Sequence, residues 1–171
     1  HKVYITIADR AGNHTTKVFN YDISKTYTLK YNSNGGSSCA SQAASINGTW
    51  GTLCVPKRTG YTFRSWNTKK DGTGTTITAN DIAKSDLTVY AQWSLTTYTI
   101  SYNLNGGTVS GNPTTYTINT NTFTLKNPTK TGDKFSGWSG TGLKSNTRSV
   151  TIKKGSTGNR VYTANWNSTI Y

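Results

Sequence analysis

Glutamate and methionine are absent from this sequence of 171 residues, which also contains only three prolines and two cysteines. The six acidic residues are all Asp and face 19 Lys and Arg, so the formal net charge is +13. Glu is one of the better helix formers, and helix-rich proteins rarely lack it. The absence of Glu therefore argues against a helical fold.

Long hydrophobic runs are absent as well. No stretch approaches the roughly 18 consecutive apolar residues that a membrane-spanning helix needs, which excludes such a helix within this chain. The chain begins at His1 with neither Met nor a charged-then-apolar leader. We therefore expect a mature product or a fragment of a longer protein.

The sequence is rich instead in aromatic residues, Thr, Asn and Gly. Only 32% of the residues are hydrophobic, yet five Trp, eleven Tyr and four Phe can fill a core where aliphatic side chains are few. Thr favours strands, and Asn and the 17 Gly favour turns. The composition predicts a folded, β-rich protein, and its length allows one domain or two small ones.

An internal repeat divides the chain. Three blocks recur in the same order, at a spacing of about 71 to 73 residues, which indicates two copies of one unit. The matching blocks are YTLKYNSNGGS from Tyr27 with YTISYNLNGGT from Tyr98, residues 53–66 with residues 125–138, and VYAQW ending at Trp93 with YTANW ending at Trp166. The small drift in spacing indicates single-residue insertions in loops, where they cost little.

Each copy begins with a strand pattern and a turn. Tyr27, Leu29 and Tyr31 alternate with polar residues, which is the period of a half-buried strand. The Asn-Gly-Gly of residues 34–36 then predicts a tight turn, because Asn and Gly tolerate positive φ. The second copy repeats both features.

The second block of each copy contains two aromatic residues three positions apart, Phe63 with Trp66 and Phe135 with Trp138. Residues three positions apart on a regular strand lie on opposite faces. Either each pair is split between the two faces, or a β-bulge intervenes. The sequence leaves both alternatives open.

Residues 78–84 are the only convincing helical stretch in the chain. Thr78 is a suitable N-cap, and Asp81 falls in the first turn, where the helix dipole favours an acid. We expect a helix of one or two turns here.

The three blocks resemble the Listeria-Bacteroides repeat, also called the internalin B repeat. The resemblance rests on YTISYNLNGG, on PTKTG followed by FSGW, and on the aromatic-Ala-x-Trp ending. It implies a mainly β (α+β) fold of two tandem small β-grasp-like domains, residues 26–94 and 97–167, each a curved sheet with at most one short helix. It also implies modules repeated in large surface-exposed or secreted bacterial proteins. The second copy departs from the pattern at Asp133, where the first has Tyr61.

Residues 1–25 lie outside the repeats and predict a β-hairpin. Val3, Ile5 and Ile7 alternate with polar or small residues, a turn follows, and residues 18–23 form the returning strand. The motif DRAGN at residues 9–13 resembles the turn between the last two strands of a bacterial immunoglobulin-like domain. A lone hairpin is marginally stable in water, so this resemblance implies that the rest of such a domain lies upstream. Alternatively, residues 1–25 pair with the edge of the first repeat.

Residues suited to catalysis are few. His1 and His14 are the only His and lie outside the repeats, and we interpret His14 as a solvated loop residue. The six Asp offer no carboxylate pair that recurs in both copies, and no phosphate loop, nucleophile elbow or zinc spacing occurs. We therefore predict that the chain is not an enzyme and binds no cofactor or metal.

Cys39 and Cys54 both lie in the first copy and bracket the loop of residues 40–53. A redox or metal pair would need closer spacing or a neighbouring His. A structural disulfide of an exported protein is the interpretation we favour, with two free thiols as the alternative. The second copy has Ser110 and Lys126 near the matching positions.

Four of the five Trp recur at equivalent positions, and a small domain poor in Leu needs them in its core; these are Trp66, Trp93, Trp138 and Trp166. Trp50 lies in the loop between the cysteines and has no equivalent in the second copy. It is the candidate for an exposed aromatic contact, for example with a sugar ring.

Basic residues are spread through both copies. The candidates for binding a polyanion are Lys57, Arg58, Lys69, Lys70, Lys126, Lys130, Lys134, Lys153 and Lys154. The partner would be an anionic cell-wall polymer such as teichoic acid, an acidic host glycan or a host surface protein. Nucleic acid is a poorer partner, because no recognition helix or RNA-binding aromatic motif is present. The alternative is that the charge only keeps a monomeric chain soluble.

Two functions from different classes fit these features. The first is a stalk or adhesion module of a protein exported to the bacterial surface or the medium. The second is an accessory module, a spacer or a targeting domain, of a large secreted hydrolase or peptidase whose catalytic domain lies outside this chain. A true lectin is a weaker third.

Overall fold

The computed structural model describes residues 2–20 and 25–168. Within them the protein is all-β, with thirteen strands and no helix, which confirms the predicted β class. The strands in chain order are β1 (Lys2–Ala8), β2 (His14–Asn20), β3 (Thr26–Asn32), β4 (Gln42–Ser45), β5 (Tyr61–Asn67), β6 (Thr76–Ile77), β7 (Leu87–Leu95), β8 (Tyr98–Asn103), β9 (Thr115–Tyr116), β10 (Phe123–Thr124), β11 (Asp133–Gly140), β12 (Thr151–Ile152) and β13 (Arg160–Ser168).

The described chain divides into two compact units. The first contains the described residues up to Arg58 together with Phe63–Trp93, and the second contains Thr59–Thr62 and the described residues from Ser94 onward. Each unit therefore holds most of one copy. We call residues 26–94 repeat 1 and residues 97–167 repeat 2.

The N-terminal strands β1 and β2 form a two-stranded antiparallel sheet of their own. The Asp9 carboxylate accepts hydrogen bonds from the backbone N–H of Ala11 and from the backbone and side-chain N–H groups of Asn13, and the bonds from Asn13 lower the pKa of Asp9 most. Every residue of β1 and β2 is exposed. Pairing of this segment with the edge of repeat 1 is not observed in the described residues.

Two details of the predicted hairpin need correction. The returning strand begins at His14 rather than at residue 18, because the turn closes already at Asn13. His14 is therefore an exposed strand residue, not a loop residue. The predicted end of this strand, residues 21–23, and His1 lie outside the described residues.

Repeat 1 forms a five-stranded sheet in the order β4-β3-β7-β5-β6. Its first and last long strands, β3 and β7, are parallel neighbours, with Leu29 opposite Leu87. Strand β4 pairs antiparallel with β3, and β6 with β5. The predicted alternation holds, because Leu29 is fully buried between exposed or half-buried neighbours.

Repeat 2 has the same centre. Its four-stranded sheet has the order β11-β13-β8-β9, and β8 and β13 are again parallel neighbours, with Ile100 opposite Arg160. The short strands β10 and β12 pair separately. In both copies a backbone N–H of the first strand donates to a side-chain oxygen that precedes the last strand: the Thr28 N–H donates to Asp86, and the Thr99 N–H donates to Asn159.

A β-bulge resolves the question of the paired aromatics in repeat 2. Phe135 lies opposite Trp166, but the next pair along the strand is Gly137 with Asn165, so Ser136 is the extra residue. The rings of Phe135 and Trp138 consequently contact each other with centroids 5.5 Å apart. In repeat 1 the rings of the equivalent pair are 5.3 Å apart.

The helix predicted at residues 78–84 is wrong. The Asp81 carboxylate accepts a hydrogen bond from the Thr78 backbone N–H at 2.7 Å, which closes a turn instead of capping a helix. The backbone of this turn pairs instead with the loop between the two cysteines of repeat 1. The backbone N–H of Trp50 donates to the Asp81 carbonyl, and the backbone N–H of Ala83 donates to the Gly48 carbonyl. These long-range bonds replace the local ones that a helix would need.

Aromatic side chains form much of the core of each repeat. Trp66 is 1% exposed in repeat 1, and Trp138 is fully buried in repeat 2. The prediction that Trp50 is exposed is wrong, because it is 5% exposed and belongs to the core cluster of repeat 1. Its backbone carbonyl accepts a hydrogen bond from the Gln42 side chain, so the loop is anchored onto the sheet at this point.

Candidate functional site

The feature that recurs most closely in the two repeats is an Asn-Gly-Gly turn packed against a Trp. Asn34 and Asn105 both have φ of 48°, and both donate a side-chain hydrogen bond to a backbone carbonyl of the last strand. The indole N–H of Trp93 donates to the Ser33 carbonyl, and that of Trp166 donates to the Leu104 carbonyl. The turn is thus tied to the end of the repeat by two polar contacts.

The second Gly of this turn is required by space. A Cβ at Gly36 would lie 2.4 Å from the Trp93 ring, and a Cβ at Gly107 would lie 2.3 Å from the Trp166 ring. Real Cβ atoms do not approach other heavy atoms so closely. The turn and the Trp therefore form one packing unit, which explains why both motifs appear together in each copy.

A cationic side chain lies over the equivalent Trp ring, Trp93 or Trp166, in each repeat. The Arg58 guanidinium lies 6.0 Å from the centre of the Trp93 ring, and the Lys130 ammonium lies 5.8 Å from that of Trp166. Lys130 also forms an ion pair with Asp133 at 2.9 Å. Two of the predicted basic residues therefore have a packing role at the turn.

The structure contains the disulfide between Cys39 and Cys54, with 6.1 Å between their Cα atoms. It joins the segment after the turn to the segment that precedes β5. Backbone and side-chain bonds between Ser37 and Lys57 connect the same two segments. The turn region of repeat 1 is consequently closed by a covalent bond.

Repeat 2 closes the corresponding loop with a side-chain amide. The Asn112 side chain accepts a hydrogen bond from the Lys126 N–H at 2.8 Å and donates one to the Lys126 carbonyl at 2.9 Å. Lys126 stands where repeat 1 has Cys54. Asn112 is not among the predicted site residues, although the neighbouring Gly111 and Pro113 mark a turn there.

A cleft opens beside this amide closure. It has a volume of about 420 Å³ and lies between residues 108–110 and residues 126–129. The residues that line it are Thr108, Val109, Ser110, Lys126, Asn127 and Thr129. We call it the repeat 2 cleft. A second hollow of about 290 Å³ shares Thr108 and Thr129 with it and extends to Lys130.

The remaining basic candidates lie on other parts of the fold. Lys69 and Lys70 are exposed in the loop after β5, and Lys134 is exposed on β11. Lys153 and Lys154 are exposed in the turn after β12. Of the predicted residues, the structure brings Lys126 and Lys130 together along adjoining hollows, and it places Lys57 and Arg58 in the equivalent segment of repeat 1.

In the described part of the chain, no three His, Cys, Asp or Glu side chains gather as a metal ion would require. No helix in residues 2–20 or 25–168 has the length and hydropathy to cross a membrane. The lowered pKa of Asp71 is explained by its hydrogen bonds with the backbone N–H and hydroxyl of Thr73.

The chain is similar to two proteins of Evansella cellulosilytica. One, named "Putative Gly-rich membrane protein", is 30% identical over 116 residues, which cover 66% of this chain and 13% of the relative. The other, named "Putative membrane protein", is 30% identical over 81 residues, which cover 47% of this chain and 12% of the relative. The chain thus spans only a small part of the length of these relatives. No solved structure matches it.

The sequence model of the Listeria-Bacteroides repeat domain matches the chain twice, at residues 27–92 and 98–165. These matches cover most of the chain and correspond to the two copies, each from its first strand to the residue before its final Trp. The chain therefore belongs to the Listeria-Bacteroides repeat domain family.

Proposed function

We propose that this chain is a non-catalytic repeat segment of a bacterial cell-surface or secreted protein, where it acts as a stalk and adhesion module and binds anionic polymers. The observation that carries the proposal is the combination of a net charge of +13 with exposed Lys on several loops of both repeats. Such a surface attracts polyanions at long range. Teichoic acid of the cell wall and acidic host glycans are the partners we propose.

Membership of the repeat family supports the structural part of this proposal. Two copies of one small domain, each with its own aromatic core, are suited to spacing a functional region away from a surface. The names of the two relatives refer to membrane proteins, which supports an envelope or extracellular location. The disulfide of repeat 1 supports an oxidising compartment.

We also propose a β-grasp-like fold for each repeat and an immunoglobulin-like origin for the N-terminal hairpin. The parallel pairing of the first and last long strands at the centre of each sheet supports a β-grasp-like description. The hairpin of β1 and β2 exposes apolar side chains, namely Val3, Tyr4, Ile5, Ile7, Val18 and Phe19. Burial of these side chains by further strands would stabilise the hairpin, which supports its assignment to an immunoglobulin-like domain.

A second candidate is an accessory module of a secreted hydrolase or peptidase. The small share of each relative that the chain covers supports it, because much of such a protein remains for other domains. Sequencing the complete reading frame separates the candidates. A catalytic domain in the same polypeptide supports the accessory role, and a wall-anchoring signal supports the stalk.

Binding to polyanions is tested on the whole chain with a heparin column and with isolated bacterial cell walls. We expect elution from heparin above about 0.15 M salt, where weak surface attraction is already screened. We also expect walls stripped of their anionic polymers to retain less protein than intact walls. Release below that salt concentration together with equal retention by both wall preparations contradicts the binding proposal.

A further inference from the structure

The repeat 2 cleft has walls that are joined along one side. The Thr108 N–H donates to the Thr129 carbonyl at 2.8 Å, and the Thr129 N–H donates to the Thr108 carbonyl at 2.9 Å. The side chains of both Thr are exposed, and so are those of Ser110 and Asn127. Hydroxyl groups are therefore available on both walls of the cleft, whereas the Asn127 side-chain oxygen already accepts a hydrogen bond from the Trp138 indole.

Lys126 is held in place at this cleft. Its backbone is bound on both sides by the Asn112 amide. Its ammonium lies against Gly111, where a Cβ would come within 2.8 Å of the Lys126 Nζ. No carboxylate of residues 2–20 or 25–168 forms an ion pair with Lys126. The cleft thus has a positive charge on an exposed side chain whose backbone is fixed, and no carboxylate of the described chain neutralises it.

Lys130 is placed differently, in the adjoining hollow. Its ammonium is paired with Asp133 at 2.9 Å and lies over the Trp166 ring. The two hollows share Thr108 and Thr129, so a ligand that extends from one to the other is lined by both Lys126 and Lys130. A chain with charges at regular intervals fits this arrangement better than a compact ion does.

The lining residues indicate the chemistry of the ligand. No aromatic ring lines the cleft, so it offers no platform on which a sugar ring could stack. It offers an ammonium group, hydroxyl groups and an amide instead. The Lys ammonium is a compact point charge with three donors, and it is a common phosphate ligand in proteins.

We propose that the repeat 2 cleft binds a phosphate group of a polyol phosphate chain, with Lys126 as the main cationic contact and the hydroxyls of Thr108, Ser110 and Thr129 as further partners. This inference rests on the proposed function, since it names the site and the chemical class of one polyanion. It applies to repeat 2 alone. Repeat 1 has Cys39, Cys54 and Val55 at the positions of Ser110, Lys126 and Asn127, and its disulfide joins the two segments directly.

The test uses a glycerol phosphate oligomer of defined length and the whole chain, with binding measured by calorimetry at low salt. We expect Lys126→Gln to weaken binding about fivefold, because an ammonium contact to phosphate is lost. Lys153→Gln is the matched control, since it removes the same charge from an exposed turn elsewhere in repeat 2. Its effect should stay below about twofold. Lys126→Arg should retain most of the affinity.

A third variant tests the role of the second ammonium. Asp133→Asn removes the ion-pair partner of Lys130 and should strengthen binding by about twofold to threefold. Backbone amide signals of Thr108, Asn127 and Thr129 should shift on titration of the unmodified chain, whereas those near Lys153 should not.

The outcomes separate this inference from the proposed function. Equal weakening by Lys126→Gln and Lys153→Gln would show diffuse attraction and overturn the site while leaving polyanion binding in place. The same holds if the unmodified chain binds heparin but not the glycerol phosphate oligomer. Binding to neither polymer overturns both proposals.

Discussion

Repeats 1 and 2 close the same loop by different chemistry. Repeat 1 uses the disulfide between Cys39 and Cys54. Repeat 2 uses the side-chain amide of Asn112, which donates one hydrogen bond to the Lys126 backbone and accepts another from it. The covalent closure joins the two segments directly, whereas the amide closure leaves a cleft with a Lys at its edge. The same fold therefore has a disulfide-closed loop in repeat 1 and a candidate binding site at the equivalent place in repeat 2.

The two repeats also differ in which segment supplies a large aromatic side chain to the core. The residue opposite Tyr27 in repeat 1 is Ala44, whereas the residue opposite Tyr98 in repeat 2 is Tyr116. Repeat 1 obtains a large side chain from its loop instead, because Trp50 is buried in its core. The comparison teaches that the loop between the cysteines is part of the folded domain and not an appendage.

The largest expected effect comes from Trp50→Ala. We expect it to lower the free energy of unfolding of repeat 1 by about 3–5 kcal/mol, because a buried aromatic side chain is replaced by a cavity. Repeat 2, which has no equivalent Trp, serves as the internal reference. Hydrogen exchange of peptides from residues 26–94 and 97–167 measures both in one experiment.

Val55→Ala is the matched control for this prediction, since Val55 is 70% exposed in the same region. It should change the stability of repeat 1 by less than about 0.5 kcal/mol. Similar exchange in the Trp50 and Val55 variants would show that Trp50 is not a core residue, and the comparison of the two cores would fail.

The second prediction concerns the disulfide. Cys39→Ser combined with Cys54→Ser should lower the free energy of unfolding of repeat 1 by about 3 kcal/mol, because the unfolded chain regains the freedom of the loop. A reducing agent should have the same effect on the unmodified chain. Denaturant titration with and without reductant measures this difference, and hydrogen exchange assigns it to a repeat.

Asn112→Ala is the counterpart of this change in repeat 2. It removes two hydrogen bonds and leaves no covalent closure, so a loss of about 1–2 kcal/mol confined to repeat 2 is expected. Insensitivity of repeat 2 to this substitution would show that its loop is held by other contacts, and that the two closures are not equivalent.

The third prediction concerns what the repeats share. Gly36→Ala and Gly107→Ala should each lower stability by about 1–3 kcal/mol, because the added methyl overlaps the Trp93 or Trp166 ring. The two losses should be similar, in contrast to those above, since the packing of this turn is nearly the same in both copies. Thermal unfolding of the two variants side by side provides the measurement. A loss in one variant only would contradict a shared packing unit.

The smallest expected effect is a dependence of stability on alkaline pH. Burial raises the pKa of Tyr102 in repeat 2 to about 12, with a further contribution from Tyr162. The folded state thus holds the proton more tightly than the unfolded state, whose Tyr titrates near 10. This contribution to stability is complete below about pH 10 and is lost as the pH rises towards about 12.

Denaturant midpoints measured on both sides of this window should fall with rising pH. The fall should be smaller in Tyr102→Phe, which has no phenol to ionise, although the variant also loses the hydrogen bond from the Tyr102 hydroxyl to the Pro113 carbonyl. Burial also raises the pKa of Tyr31 in repeat 1, so Tyr31→Phe is the matched comparison. An unchanged pH dependence in Tyr102→Phe would exclude Tyr102 as its source.

Much of the fold follows from the sequence alone. The alternation around Leu29 and the Asn-Gly-Gly turns are local or repeated signals, and the structure confirms them. Of the four recurring Trp that were predicted in the core, Trp66 and Trp138 are buried, whereas Trp93 and Trp166 are partly buried and pack against the two cores. Such signals are readable because the two faces of a strand and the positive φ of a turn depend on neighbours a few residues away.

Contacts between distant residues decided the rest. Trp50 is buried and residues 78–84 are not helical because the two segments pair with each other. The repeat 2 cleft exists because Asn112 reaches Lys126, fourteen residues later in the chain. Composition supplied the positive charge, but only the tertiary structure places one Lys beside hydroxyl groups from two separate segments. Local sequence preferences do not determine such long-range contacts, because these contacts form only when distant segments pack together in the folded domain.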